Sequence, residues 1–166
     1  LHFVLALTMI LTVFSLDAQQ GYWQKTDKTN ENLGLNISSL NQKFYETFQL
    51  DLSALKAQLV NAPLRNSASS SSVRISLPSL KGGNQEFMVF EAPVLSEELS
   101  SAFPNIKTYI GFSSSQSGAR ARFSVTPQGL QTMVTYAEGP MEFIVPITKG
   151  DTSNYVLYSR DARLTS

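Results

Sequence analysis

The segment from Ile106 to Ser159 constrains the fold most. It consists of short alternating runs, "IKTYIGF", "ARARFSVT", "GLQTMVTY", "MEFIVPI" and "NYVLYS", separated by turn-forming "SSSQSG", "PQG", "EGP" and "TKGDTS". Consecutive short strands at this spacing predict a mainly antiparallel sheet, curved or closed on itself. In "ARARFSVT", Ala119, Ala121, Phe123 and Val125 fall on one face and Arg120, Arg122, Ser124 and Thr126 on the other, so that one sheet face is wet and cationic there. In "TPQG", Pro127 supplies a fixed φ and Gly129 a position that tolerates positive φ, which predicts a tight hairpin.

Upstream, "KFYETFQLD" reads as a strand with Phe44, Glu46 and Phe48 on one side. Asp51 then caps a helix whose Leu52, Leu55 and Leu59 stand at core-facing spacing, and which ends before Pro63. "RNSASSSS", residues 65–72, cannot bury apolar surface and predicts a flexible loop. "VRISLP" and "EFMVFEAP" form a hairpin around "KGGNQ", with Phe87, Val89 and Glu91 on one face and Met88 and Phe90 on the other. Ser96 offers an N-cap for a short helix carrying Glu97 and Glu98 in its first turn, where the helix dipole favours negative charge, and Pro104 stops it. The expected architecture is mainly β (α+β): one domain with a curved or barrel-like antiparallel sheet and two short helices, preceded by a signal-peptide helix. No internal repeat suggests a solenoid or propeller.

The chain opens at Leu1 without Met and reads as a fragment. "FVLALTMILTVFSL", Phe3 to Leu16, is shorter than the ~20 apolar residues that a bilayer-spanning helix needs and fits a signal-peptide core. Residues 1–18 are therefore read as a signal peptide lacking its basic region, 19–39 as a mobile polar leader, 40–161 as the β-rich domain, and 162–166 as the start of a linker. This predicts export through a cleavable signal, with no stable membrane span left afterwards.

The 13 basic and 13 acidic side chains show no long run of either sign, so the electrostatic footprint of a nucleic-acid binder is missing. Cysteine is absent, and with it any disulfide scaffold, thiolate ligand or cysteine nucleophile. The one histidine, His2, lies in the presumed signal, which leaves no imidazole for a catalytic triad or a zinc site. Glu91, Glu97 and Glu98 could form a carboxylate pair for glycoside hydrolysis. The more economical expectation is that Glu97 and Glu98 serve a helix N-terminus and that Glu91 makes a structural hydrogen bond or pairs with Lys107 or Arg122. Arg120 and Arg122 could grip a carboxylate or an acidic surface, against the plainer expectation of a solvated face with ordinary ion pairs.

One long stretch is more specific. "FMVFEAPVLSEELSSAFPNIKTYIGF" followed by "ARARFSVTPQGLQTMV" resembles the pro-region of secreted bacterial reprolysin-like zinc metallopeptidases. The residues that carry the likeness are Glu91, Pro93, Val94, Leu95, Phe103, Pro104, Ile106, Lys107, Thr108, Tyr109, Gly111, Arg122, Phe123, Thr126 and Gly129, and the likeness extends over Phe44 to Asp161. The resemblance implies a pro-segment that assists folding and maintains latency of a catalytic domain of the same precursor. Zinc is expected only there, on an H-E-x-x-H-x-x-G-x-x-H helix that this sequence lacks, and no cofactor in this chain. Animal relatives restrain zinc with a pro-segment cysteine, from which this sequence departs. On this reading Glu91 through Gly111 shapes a rigid corner and offers a docking surface, while Phe103, Ile106 and Tyr109 are expected in the core. The competing expectation is a free-standing secreted or envelope β-rich binding or adhesion module that recognises a polymer or protein with a sheet face.

Overall fold

The structure, a computed structural model, describes residues 21–27, 45–67, 72–115 and 118–162. The expected signal peptide, the leader outside residues 21–27, the domain start at residue 40, half of the serine-rich loop and the linker from residue 163 lie outside those residues. Nine strands, β1 (Trp23–Thr26), β2 (Tyr45–Leu50), β3 (Val73–Pro78), β4 (Asn84–Glu91), β5 (Lys107–Ser113), β6 (Arg120–Thr126), β7 (Gly129–Thr135), β8 (Glu142–Pro146) and β9 (Asn154–Ser159), form one sheet. Helix α1 (Leu52–Leu59) follows β2 and helix α2 (Glu97–Ala102) follows β4. The strand order is β1-β2-β9-β8-β7-β6-β5-β4-β3, antiparallel throughout, and the sheet curls into a half-barrel.

Local chemistry sets these elements. The Asp51 carboxylate accepts from the Ala54 amide at 2.9 Å, capping α1, and Leu52, Leu55 and Leu59 point from the helix into the core. The β6–β7 hairpin turns on Pro127 and Gln128, and the Gln128 amide donates to Thr126 Oγ1 at 3.1 Å. Gly129 has φ of 108° and its missing side chain leaves room for Tyr155, whose Oη would lie 2.9 Å from a Cβ there. That hydroxyl accepts from the Leu130 amide at 3.1 Å and donates to Thr152 O at 3.3 Å, which ties the hairpin to β9.

The inner face of the curl holds the main core, including Ile75, Phe87, Val89, Ala121, Leu130, Ile144, Tyr155 and Leu157, with α1 packed beside β3. A smaller cluster of Tyr45, Ile147 and Val156 lies apart from it, with Val145 and Tyr158 against it.

The strand β1 corrects an expectation. Residues 19–39 read as a mobile polar leader, yet Trp23 is buried and stacks edge-on against Phe48 and Tyr155 at 6.2 and 5.7 Å. Its polar neighbours Gln24 and Lys25 conceal a strand that pairs with β2 and supplies one large core side chain. β1 and β3 are the two ends of the sheet, and side chains join them. The Trp23 indole N–H donates to Ser76 O at 3.0 Å, and the Ser76 amide donates to Tyr22 Oη at 2.5 Å. Beyond β3, the Ser79 hydroxyl reaches the buried Glu142 carboxylate of β8 at 3.3 Å, and Tyr136 Oη donates to the same carboxylate at 2.7 Å. Burial pushes the Tyr136 phenol upward, so it stays a donor to that carboxylate.

Trp23→Ala is expected to lower the free energy of unfolding by about 3–5 kcal/mol through lost packing. Tyr22→Phe is expected to cost about 1–2 kcal/mol through the unsatisfied Ser76 amide. Urea unfolding followed by circular dichroism measures both; wild-type midpoints in both variants would place β1 outside the cooperative unit.

Candidate functional site

The phrase that carries the family resemblance leaves the sheet and returns to it as a projecting corner. Two hydrogen bonds close its base, from the Ala92 amide to Thr108 O at 2.8 Å and from Thr108 Oγ1 to Ala92 O at 2.7 Å. Lys107 Nζ lies 2.7 Å from Glu91 Oε1, so Glu91 takes the structural ion-pair role expected of it, with Lys107 rather than Arg122. Pro93 lines a small recess with Leu95, Ser100 and Ile106. The Ser96 side chain accepts from the Leu99 amide at 3.4 Å, and Glu97 and Glu98 occupy the first turn of α2.

No residue of α2 is buried. Val94, Leu99, Phe103 and Ile106 are 75, 46, 54 and 37 % exposed. The expectation that Phe103 and Ile106 are core residues is therefore corrected. The chain is off the sheet between Glu91 and Lys107, and among the described residues no strand or helix buries a side chain of α2, so the apolar side chains there stay exposed. Tyr109, back in β5, is buried as expected and stacks on Phe123 with centroids 5.0 Å apart. Burial, followed by the nearby Glu91 carboxylate, pushes its phenol up to about 12. Gly111 is a packing requirement: a Cβ there would stand 3.1 Å from Phe87 Cβ and 3.4 Å from Ala121 Cβ.

Two separated parts of the resemblance meet in space. Phe103, Pro104 and Ile106 face Thr126, Pro127 and Gln128 of the β6–β7 turn across a cleft of about 530 Å³ that also takes in Gln131. Pro104 and Pro127 hold fixed φ on opposite sides of this cleft, so its walls are stiff. Gln131 also borders a second groove, of about 370 Å³, on the outer sheet face, where Arg65, Ile110, Arg122, Met133 and Phe143 converge. Arg120 and Arg122 project outward as the alternation required, but the ordinary ion pairs expected for them are missing: among the described residues neither has a carboxylate within ion-pair distance. Arg120 instead lies 6.0 Å from the Phe112 ring centroid.

Arg65, Met133 and Phe143 were not singled out by the sequence reading. Cross-strand register brings Met133 and Phe143 beside Arg122, and the bond from the Arg65 amide to Glu91 O at 2.9 Å carries Arg65 to the same groove. The arrangement exposes apolar surface beside guanidinium groups that, among the described residues, have no carboxylate within ion-pair distance. No protein-family model, curated protein or solved structure matches the chain.

Gly111→Ala is expected to destabilise by about 1–3 kcal/mol, because neither Phe87 nor Ala121 can give way in a packed core. The Tyr109 pKa also sets a pH dependence. The folded protein retains a phenolic proton that the unfolded chain releases near 10, so this contribution is complete below about pH 10 and is lost as pH rises toward about 12. Tyr109→Phe should flatten the fall of the urea midpoint over that window, and an unchanged slope would exclude Tyr109 as a source of it.

Proposed function

We propose that the chain is the pro-segment of a secreted zinc metallopeptidase, a domain that assists folding of the catalytic domain and keeps it latent during export. The observation that carries the reading is the exposed apolar corner at Val94, Leu99, Phe103 and Ile106, built from the same phrase that resembles such pro-regions. Contiguous exposed apolar surface on a folded domain marks an interaction site. Here it borders a stiff cleft that can seat a partner's side chain.

The physical logic suits a covalently joined partner. Linkage through one chain gives an effective concentration of order millimolar, so modest contacts keep the domain docked until the linker is cut. Binding the folded catalytic domain alone also stabilises that fold by mass action. With no cysteine in this chain, latency on this reading uses a carboxylate, a backbone group or steric cover of the catalytic cleft. Zinc would belong to the catalytic domain. The second reading, a free-standing β-rich binding or adhesion module, is favoured by one observation: the arginine-lined groove lies on the sheet face beside the corner.

Inhibition in trans tests the proposal. The chain is titrated against the reprolysin-like catalytic domain of its own precursor while peptide cleavage is followed. Dose-dependent inhibition is expected, weakened at least about tenfold by Phe103→Ala with Ile106→Ala, whose side chains are exposed and whose loss should leave the unfolding midpoint nearly unchanged. A precursor without a peptidase domain, or a folded chain that leaves cleavage unaffected, would overturn the reading in favour of the binding module.

A further inference from the structure

We infer that the outer face of the sheet is a docking groove for a polypeptide segment that combines apolar side chains with a carboxylate, the carboxylate seated on Arg122. This does not rest on the peptidase reading, because any partner offering such a segment would fit. The first ground is register. On the outer face Phe90 pairs with Ile110, Ile110 with Arg122, Arg122 with Met133, Met133 with Phe143, and Phe143 with Tyr158. These pairs form one transverse row from β4 to β9, apolar or aromatic except at Arg122. The solvent face of an antiparallel sheet ordinarily alternates to polar residues, so a row of this kind requires an explanation.

The second ground is charge. Arg65 and Arg122 line the same groove, and among the described residues neither has a carboxylate within ion-pair distance. Two like charges beside one groove are mutually unfavourable and are offset by an incoming anion. Arg122 is flanked along its row by Ile110 and Met133, and apolar flanks strengthen a charge-assisted contact once a ligand displaces water.

Shape and reach select a polypeptide. Strands spaced about 4.8 Å apart make a row from β4 to β9 about 24 Å long, the span of roughly seven extended residues. From β5 to β8 the row borders the groove: Ile110 is only 4 % exposed and Met133 and Phe143 are half-buried, so a flat bilayer would not reach them while a narrow segment would. Addition of a strand at the sheet edge is disfavoured at Ser76, whose amide and carbonyl are already bonded across the opening. The face remains.

The test uses the whole chain and three fluorescein-labelled seven-residue peptides. One alternates Asp with Leu and Phe, one replaces Asp by Lys, and one replaces Leu and Phe by Ser. Fluorescence anisotropy is expected to show the first binding at least about tenfold more tightly than either control, and Arg122→Gln is expected to remove about tenfold of that affinity. Arg122 is exposed, so the unfolding midpoint of the variant should match wild type and confirms its fold. Equal binding of the three peptides, binding of none, or an Arg122→Gln curve that overlays wild type would overturn the inference. Capture of the chain by phosphatidylserine vesicles without discrimination among the peptides would also overturn it, and would point to a lipid surface. Because no peptidase is present, failure here leaves the pro-segment reading to its own test.

Discussion

Two hydrogen bonds to the main chain of Ser76 hold the ends of the sheet together. An open antiparallel sheet of nine strands has two edges whose main-chain groups need partners, and a curled sheet also exposes its concave core along the opening. Tyr22 and Trp23 answer both needs. Their polar atoms satisfy the amide and carbonyl of Ser76, and the Trp23 ring seals the core against Phe48 and Tyr155. Burial pushes the Tyr22 phenol up to about 12, while its bond from the Ser76 amide acts in the opposite direction. The phenol therefore stays neutral across the physiological range. Side chains rather than a ladder make the closure, which is how a strand of only four residues can complete it.

The outer features depend on that closure. The groove on the sheet face and the corner beside it hold their shape only while the strands beneath keep their register. The β4–β5 pairing sets Gly111 against Phe87 with little spare volume. The β5–β6 pairing stacks Tyr109 on Phe123 and places Arg122 next to Ile110. Conserving core volume thus fixes where a charged side chain emerges on the opposite face, since alternate residues of one strand serve both. The corner itself adds little to the core, and its apolar side chains are best understood through what they could meet.

Much of this was legible in the sequence because it is written locally. The hairpins from β5 to β9 follow from alternation and turn residues, α1 from Asp51 and its leucine spacing, and α2 from Ser96. β1 was hidden because a four-residue strand flanked by polar sequence carries no periodic pattern; one tryptophan and the distant Ser76 create it. Phe103 and Ile106 are exposed against expectation because apolar character states a preference for burial, whereas the outcome depends on whether another element arrives to cover them. The row around Arg122 was half visible. Alternation along β6 announced the outward arginines, but the apolar neighbours belong to other strands and enter only through register. Arg65 was invisible for the same reason, as a loop residue brought to the groove by a main-chain bond to Glu91.

Native-state hydrogen exchange at the Ser76 amide tests closure most directly. Ser76 sits on an end strand with its amide directed away from β4, so without β1 that proton would face water. Protection comparable to that of amides in the interior strands β6 and β7 is expected, and its loss when β1 is displaced. Exchange at the rate of a free amide in an otherwise protected sheet would contradict it, and would show that the two ends of the half-barrel are not joined at β3.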